Sequence, residues 1–112
     1  SDQVRALLLQ HEIALCAARA GVQVLSKSDL EAAKNLLIAA DVNAVPPLGV
    51  EGCGLHDMGV TISSHGALGI GALAIGNVKY GTESGLFKQM VTADKPLCLD
   101  FRHAFALARK LV

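Results

Sequence analysis

The sequence predicts an α/β fold in which parallel strands alternate with helices. Residues 13–17 and 36–42 are short apolar segments without polar alternation, as expected for strands of a parallel sheet that is covered on both faces. A loop and one short helix separate them, so the three elements form a βαβ unit with a right-handed crossover. We therefore expect the two strands to lie side by side and parallel, with residues 18–21 and 41–43 at the same edge.

Length and charge limit the classes of protein to which the chain can belong. Its 112 residues suit one domain, and ten basic side chains balance ten acidic ones to give a net charge of zero. Dispersed charges of this kind provide neither a basic footprint for nucleic acid nor a patch for a membrane surface. The uncharged stretch over residues 58–78 contains polar side chains, and its apolar part is shorter than the ~20 residues of a membrane span. We expect no nucleic-acid partner and no membrane partner.

The three cysteines indicate a reducing compartment. Cys16, Cys53 and Cys98 are odd in number, far apart and without a Cys-x-x-Cys pair, which is typical of reduced thiols in a cytoplasmic protein. Each is expected to pack as a small hydrophobe. Cys53 and His56 alone are a poor zinc signature, so we expect an ordinary surface turn there and no metal.

Two helices are predicted in the first third of the chain. Residues 2–10 carry Val4, Leu7 and Leu8 at helical spacing, as at the end of an amphipathic helix. Ser28 and Glu31 fit a capping box, which predicts a short helix over residues 29–34.

The last third is predicted to be largely helical. Residues 83–93 form a helix with Leu86, Phe87, Met90 and Val91 facing inward, and Gly81 and Gly85 kink or break any continuation towards residue 70. Residues 96–99 predict a short strand or an extended link. Asp100 is a good N-cap for a final helix over residues 101–111. That helix has one apolar stripe, formed by Phe101, Phe105, Ala108 and Leu111.

The central stretch, residues 66–80, carries no charge before Lys79 and is punctuated by glycines. Gly69, Gly71 and Ala74 match the Gly-x-Gly-x-x-Ala pattern of dinucleotide-binding turns. The pattern also needs an acidic residue at a strand end about 20 residues later, and the nearest such residue, Asp100, is much further along. A glycine-notched helix packed tightly against a sheet explains the spacing equally well.

The carboxyl end of the second predicted strand carries polar side chains. Asp41 and Asn43 lie there, and Pro46-Pro47 stops the strand. Open parallel sheets bind ligands at this edge, which makes both side chains candidate site residues, although capping of the loop backbone would also explain them.

Familiar catalytic motifs do not assemble in this sequence. The four histidines are scattered, and there is no Gly-x-Ser-x-Gly elbow, phosphate-binding loop or paired zinc spacing. Two parallel strands cannot cover their own faces and edges, so we expect the chain to be part of a larger protein.

Three long motifs resemble one family. The segments Asp-Val-Asn-Ala-Val-Pro-Pro-Leu-Gly at residues 41–49, Gly-Ala-Leu-Gly-Ile-Gly-Ala-Leu-Ala-Ile-Gly-Asn-Val-Lys-Tyr at 66–80 and Asp-Lys-Pro-Leu-Cys-Leu-Asp-Phe-Arg-His-Ala-Phe at 94–105 are similar to those of bacterial NAD(P)-dependent methylene-tetrahydromethanopterin dehydrogenases. The resemblance covers nearly the whole chain and places it in the C-terminal part of the family. It implies the latter half of a Rossmann NAD(P)-binding domain plus a terminal helix that packs near an N-terminal pterin domain.

The resemblance also implies roles for individual residues. The loop after the first strand would lie beside NAD or NADP, together with the end of the second strand; these cofactor-binding residues are Ala17, Ala18, Arg19, Ala20, Gly21, Asp41, Val42 and Asn43. Lys79 would match an active-site lysine close to both ligands and is the expected catalytic residue. Lys79 and Glu83 are the expected substrate-binding residues, although Glu83 stands where some members have histidine. The residues 69–74 would be a packing and substrate-side segment, and their fingerprint match accidental.

These implications lead to two hypotheses of different classes. The first is a cytoplasmic, homo-oligomeric oxidoreductase of one-carbon metabolism that passes hydride from methylene-tetrahydromethanopterin to NAD(P). The second is a non-catalytic binding or assembly module derived from a Rossmann half-domain. Under the first hypothesis, the 112-residue chain alone is expected to be inactive, since the family's phosphate loop would precede Ser1.

Overall fold

Four strands and four helices follow one another along residues 1–112, all of which are described by a computed structural model. The helices are α1 (Asp2–Leu8), α2 (Lys27–Ala32), α3 (Ala72–Thr92) and α4 (Phe101–Leu111), and the strands are β1 (Ile13–Cys16), β2 (Ile38–Asp41), β3 (Met58–Thr61) and β4 (Leu68–Ile70). The chain divides into two units, Ser1–Ile75 and Gly76–Val112. No helix is both long enough and apolar enough to cross a membrane.

The first unit contains one sheet, in the order β1-β2-β4-β3. Strands β1 and β2 are parallel neighbours with Cys16 opposite Asp41, which confirms the predicted pairing. Strand β4 runs parallel to β2 on its other side, and β3 is antiparallel to β4. The α/β class with mainly parallel strands is therefore confirmed.

Strand β4 is a correction to the sequence prediction. We expected two parallel strands and a loop or helix from residue 66 onward, whereas Leu68–Ile70 pairs with β2 at the centre of the sheet. The strand was not predicted because Gly69 at its middle weakens the strand signal in the sequence. A Cβ on Gly69 would lie 2.7 Å from Ile62 Cγ2 and 3.0 Å from Cys53 Sγ, so glycine here permits close packing under the sheet.

The hydrophobic core lies on one face of the sheet. Cys16 and Ala39 point from β1 and β2 into a cluster that includes Leu25 and Leu30 from the region of α2. The expectation that β1 is covered on both faces is wrong: Ile13 is 59% exposed and Leu15 is 78% exposed. Alternate side chains of a strand point to opposite faces, and the face of β1 that carries Ile13 and Leu15 is open.

Helix α2 begins two residues earlier than predicted. Ser26 is the N-cap, and its hydroxyl accepts from the Asp29 N–H at 3.2 Å while the Asp29 carboxylate accepts from the Ser26 N–H at 3.0 Å. The predicted partner Glu31 instead accepts from the Ser64 N–H at 2.9 Å. The sequence contains two Ser-x-x-acid patterns, Ser26 with Asp29 and Ser28 with Glu31. Only the first forms a capping box, because Glu31 of the second is hydrogen-bonded to Ser64.

The capping box allows a test with a matched control. Replacing Ser26 with alanine should lower the free energy of unfolding by about 1 kcal/mol. Ser28→Ala removes only an exposed hydroxyl contact to Ser26 Oγ at 2.9 Å and leaves both capping bonds in place, so it should change that free energy by less than about 0.5 kcal/mol. Urea denaturation of both variants measures the difference.

Hydrogen bonds from Ser26 lower the pKa of Asp29 below its ordinary value of 3.8. The contribution of Asp29 is therefore present above pH 3.8 and is lost as the pH falls through its lowered pKa.

In the second unit, α3 continues to Thr92, so the helix is continuous across Gly81 and Gly85 and does not break there. The two glycines face α4. A Cβ on Gly85 would lie 2.7 Å from Leu107 Cδ2, and one on Gly81 would lie 3.0 Å from Leu111 Cδ1. Their absent side chains let the two helices approach closely, and the helical hydrogen bonds preserve α3.

The apolar side chains of this unit are more exposed than predicted. Phe87, Met90 and Val91 of α3 are exposed, which contradicts the prediction that they face inward. Helix α4 begins at the predicted N-cap, Asp100, whose carboxylate accepts from the Arg102 N–H at 3.0 Å. Phe101 and Phe105 of its predicted stripe are exposed. The residues between the two helices contain no strand.

Candidate functional site: the carboxyl edge of the parallel strands

Two loops meet where β1 and β2 end. The loop after β1 consists of small side chains around one arginine, and four of its residues are exposed: Ala17, Ala18, Arg19 and Ala20. Gly21 closes it with a φ of 73°, a conformation that favours glycine. The Val42 N–H donates to the Cys16 carbonyl at 3.1 Å, and the Gly21 N–H donates to Asn43 Oδ1 at 3.4 Å. The prediction that both loops open at one edge is confirmed.

Asp41 lies beneath this edge, and its carboxylate organises the backbone of the second loop. The residue is 2% exposed, and its oxygens accept from the Asn43 N–H at 2.9 Å and the Val50 N–H at 3.1 Å. A Cβ on Gly49 would lie 2.7 Å from Oδ1, so glycine allows the returning chain to approach. Of the two interpretations drawn from the sequence, loop capping is the one these contacts describe for the Asp41 side chain.

Cys16 lies in the same buried region, where its thiol is unreactive. Burial, and secondarily the charge of Asp41, raise the pKa of its thiol to about 11. The thiolate is the nucleophilic form of cysteine, so Cys16 is protonated near neutral pH. It packs as a small hydrophobe, as predicted.

Asn43 uses its side chain entirely within the protein. It is buried, its Oδ1 accepts from the Val45 N–H at 2.9 Å as well as from Gly21, and its Nδ2 donates to the Pro47 carbonyl at 3.0 Å. Val42, between Asp41 and Asn43, is exposed. The surface available to a ligand at this edge is thus formed by Val42 and by residues 17–21, which we call the alanine loop. Asp41 and Asn43 lie beneath that surface.

The start of α3 is the other place where the sequence suggested a dinucleotide. Gly69, Gly71 and Ala74 do lie at a strand-to-helix junction, as the fingerprint requires. However, the Leu55 carbonyl accepts from the Leu73 N–H at 2.8 Å and from the Ala74 N–H at 3.2 Å. A Cβ on Gly71 would come within 2.0 Å of the Gly54 carbonyl oxygen. The backbone of residues 54–55 thus lies where a dinucleotide phosphate would bind at this helix N-terminus. Gly71 makes room for that backbone rather than for a ligand.

The segment around Cys53 forms a closed turn. Asp57 accepts from the Gly54 N–H at 2.7 Å, and burial raises the pKa of the Cys53 thiol to about 11. No group of three or more histidine, cysteine, aspartate or glutamate side chains is arranged to hold a metal ion.

Lys79 and Glu83 lie one turn apart on α3, in the second unit. Lys79 Nζ is 3.9 Å from Glu83 Oε1, and the two side chains are 73% and 57% exposed. A pair this exposed contributes little to stability, about 0.3–0.5 kcal/mol for helical i,i+4 spacing. The Lys79 ammonium is therefore accessible and only weakly engaged.

Sequence reasoning missed the backbone groups that shape this region. The Leu55 carbonyl and the approach of Gly49 to Asp41 are contacts of the main chain, and no side-chain pattern indicates them. The glycines at residues 49 and 54 were the available signal, since each permits a carboxylate to approach closely.

Comparison with known proteins finds a strong similarity to a characterised enzyme. No protein-family model matches the chain. Over 104 residues, 93% of its length, it is 48% identical to the NAD(P)-dependent methylenetetrahydromethanopterin dehydrogenase of Methylorubrum extorquens. The resemblance found in the sequence is confirmed. The chain spans 35% of the length of that relative.

Proposed function

We propose that the protein is an oxidoreductase that transfers hydride from methylene-tetrahydromethanopterin to NAD or NADP, forming methenyl-tetrahydromethanopterin. The observation that carries this proposal is the 48% identity to the Methylorubrum extorquens dehydrogenase across nearly the whole chain. The sheet supports it, because ligands of open parallel sheets bind at the carboxyl edge. On this proposal residues 1–112 supply the latter half of a Rossmann domain in a cytoplasmic, homo-oligomeric enzyme of formaldehyde oxidation.

The residues at the edge fit one end of a dinucleotide. The loop at residues 17–21 presents three exposed alanines and one exposed arginine, and it carries no acidic side chain that would repel a phosphate-bearing ligand. The α3 N-terminus does not fit the other end, since the Leu55 carbonyl occupies its first N–H groups. We therefore assign the nicotinamide side of the cofactor site to Ala17, Ala18, Arg19, Ala20, Gly21 and Val42, with Asp41 and Asn43 acting from below.

Lys79 is assigned to the pterin. NAD(P) supplies the hydride acceptor, and since no proton accompanies the hydride, no general base is needed. The protein accelerates such a step chiefly by holding the two reactants in contact and excluding water. An exposed ammonium with a weak partner at 3.9 Å can orient a polar substrate group, and Glu83 can accept from the same substrate. Because the product is a cation, Lys79 orients rather than stabilises the developing charge.

The test uses the full-length protein that contains this chain. Purified protein is mixed with methylene-tetrahydromethanopterin and either NAD or NADP, and formation of the reduced nicotinamide is followed by absorbance. We expect turnover with at least one dinucleotide. Saturable dinucleotide binding without turnover would contradict the proposal and support a non-catalytic module instead.

A further inference from the structure

The two loops at the candidate cofactor edge are joined by one buried amide. Asn43 sits after β2, and its Oδ1 accepts from the N–H of Gly21, which ends the loop after β1, at 3.4 Å. The same oxygen accepts from the Val45 N–H at 2.9 Å, so it holds both loops at once. The remaining amide group, Nδ2, donates to the Pro47 carbonyl at 3.0 Å, which fixes the orientation of the side chain.

Neighbouring groups restrict Asn43 further. Its own N–H donates to Asp41 Oδ1 at 2.9 Å, and Asp41 in turn accepts from the Val50 N–H. Asn43 is 4% exposed, so its side chain offers no free polar atom to a ligand. The alanine loop that Gly21 closes is exposed, by contrast, and its position depends on where Gly21 is held.

We propose that Asn43 is a positioning residue for the dinucleotide: it does not touch the cofactor but holds the alanine loop through the Gly21 N–H. The inference rests on the proposed function only in assigning that loop to the nicotinamide side. It departs from the expectation of direct contact by the Asn43 side chain, and it predicts that the acceptor oxygen, rather than the whole amide, is what holds the Gly21 N–H.

The experiment compares three variants of the full-length protein. Asn43→Ala removes both the acceptor and the donor, Asn43→Asp keeps an acceptor for Gly21 and Val45 but loses the donor to Pro47, and Asn35→Ala removes an exposed amide elsewhere. Dinucleotide dissociation constants are measured by calorimetry, the KM for the pterin by kinetics, and exchange of the Gly21 amide by hydrogen–deuterium exchange.

The expected result separates positioning from general stability. Asn43→Ala should raise the dinucleotide dissociation constant about ten-fold, the factor that corresponds to one lost hydrogen bond, with the KM for the pterin unchanged. Asn43→Asp adds a buried carboxylate close to Asp41, which lowers affinity by charge alone, so its readout is the Gly21 amide. Because aspartate keeps the acceptor, only Asn43→Ala should speed exchange at Gly21.

Two results would overturn the inference: equal dinucleotide affinity in Asn43→Ala and Asn35→Ala, or exchange at Gly21 that is as slow in Asn43→Ala as in Asn43→Asp. A wild-type protein that binds no dinucleotide would overturn it too. If wild type binds dinucleotide without oxidising the pterin, the proposed function fails alone, and the Asn43 comparison still decides the positioning role.

Discussion

Replacing Gly71 with alanine is expected to destabilise the first unit by about 3 kcal/mol or more. The new Cβ would lie 2.0 Å from the Gly54 carbonyl oxygen and 2.5 Å from the Leu55 carbonyl oxygen. Both atoms belong to the backbone, so no side-chain rotation relieves the clash. Overpacking of this kind typically costs 1–3 kcal/mol, and more where the neighbours cannot move. Moving Leu55 would also break its bonds to the first N–H groups of α3.

Gly76 provides the matched control for Gly71. It lies inside α3, and a Cβ there would meet no atom within 4 Å. Gly76→Ala should therefore stabilise the protein by up to about 1 kcal/mol, since alanine is the better helix former. Chemical denaturation of both variants measures the two changes. Equal effects of the two substitutions would show that the backbone at Gly71 has room to move.

Replacing Lys79 with alanine in the full-length protein should lower kcat about 100-fold while the dinucleotide affinity changes less than about three-fold. The lysine is assigned to the pterin, and misplacing a reactant by about 1 Å can cost a factor of this size. Its only ion-pair partner, Glu83, is 3.9 Å away and exposed, so the substitution should hardly affect stability. Steady-state kinetics, combined with cofactor titration, separate the two effects.

Lys88→Ala is the control for Lys79, because Lys88 is another exposed lysine on α3 and is assigned no role at the site. We expect wild-type kinetics from it. Unchanged turnover in Lys79→Ala would reduce Lys79 to a surface residue. A parallel fall in both variants would instead point to a general effect of positive charge on α3.

The parallel pairing of β1 and β2 could be predicted because several local features agree. Two apolar segments, a short helix and a loop lie within about 30 residues, and few topologies accommodate such a βαβ unit. The cap of α4 was equally clear, since Asp100 stands directly before an apolar periodic segment. Local signals of this kind depend on a few neighbouring residues, and packing did not override them.

The errors arose where tertiary packing decides the outcome. Gly69 weakens the strand signal of β4 because its missing side chain makes room for Ile62 and Cys53. Gly81 and Gly85 weaken the helix signal of α3 for the same kind of reason, since they face Leu107 and Leu111. Glycine in a sequence usually predicts the end of a helix or strand, but whether the helix or strand ends there depends on which residues pack against the glycine.

The candidate site was predicted only in part. Strand order located the edge, and the polar residues Asp41 and Asn43 marked its position in the sequence. Their hydrogen bonds could not be predicted, because the partners of Asp41 include Val50 and those of Asn43 include Gly21, and both pairings need the folded chain. A sequence shows that a polar group is present at an edge, but not whether it faces the ligand or the protein.

The Leu55 carbonyl at the start of α3 has a consequence for how freely the sequence can vary. Every amino acid has a backbone carbonyl, so the hydrogen bonds to the Leu73 and Ala74 N–H groups do not depend on the identity of residue 55. They also carry no net charge, which leaves them insensitive to the salt concentration that would screen a bound anion. A substitution at residue 55 can therefore change the side chain and still leave a carbonyl oxygen in place to cap the N-terminus of α3.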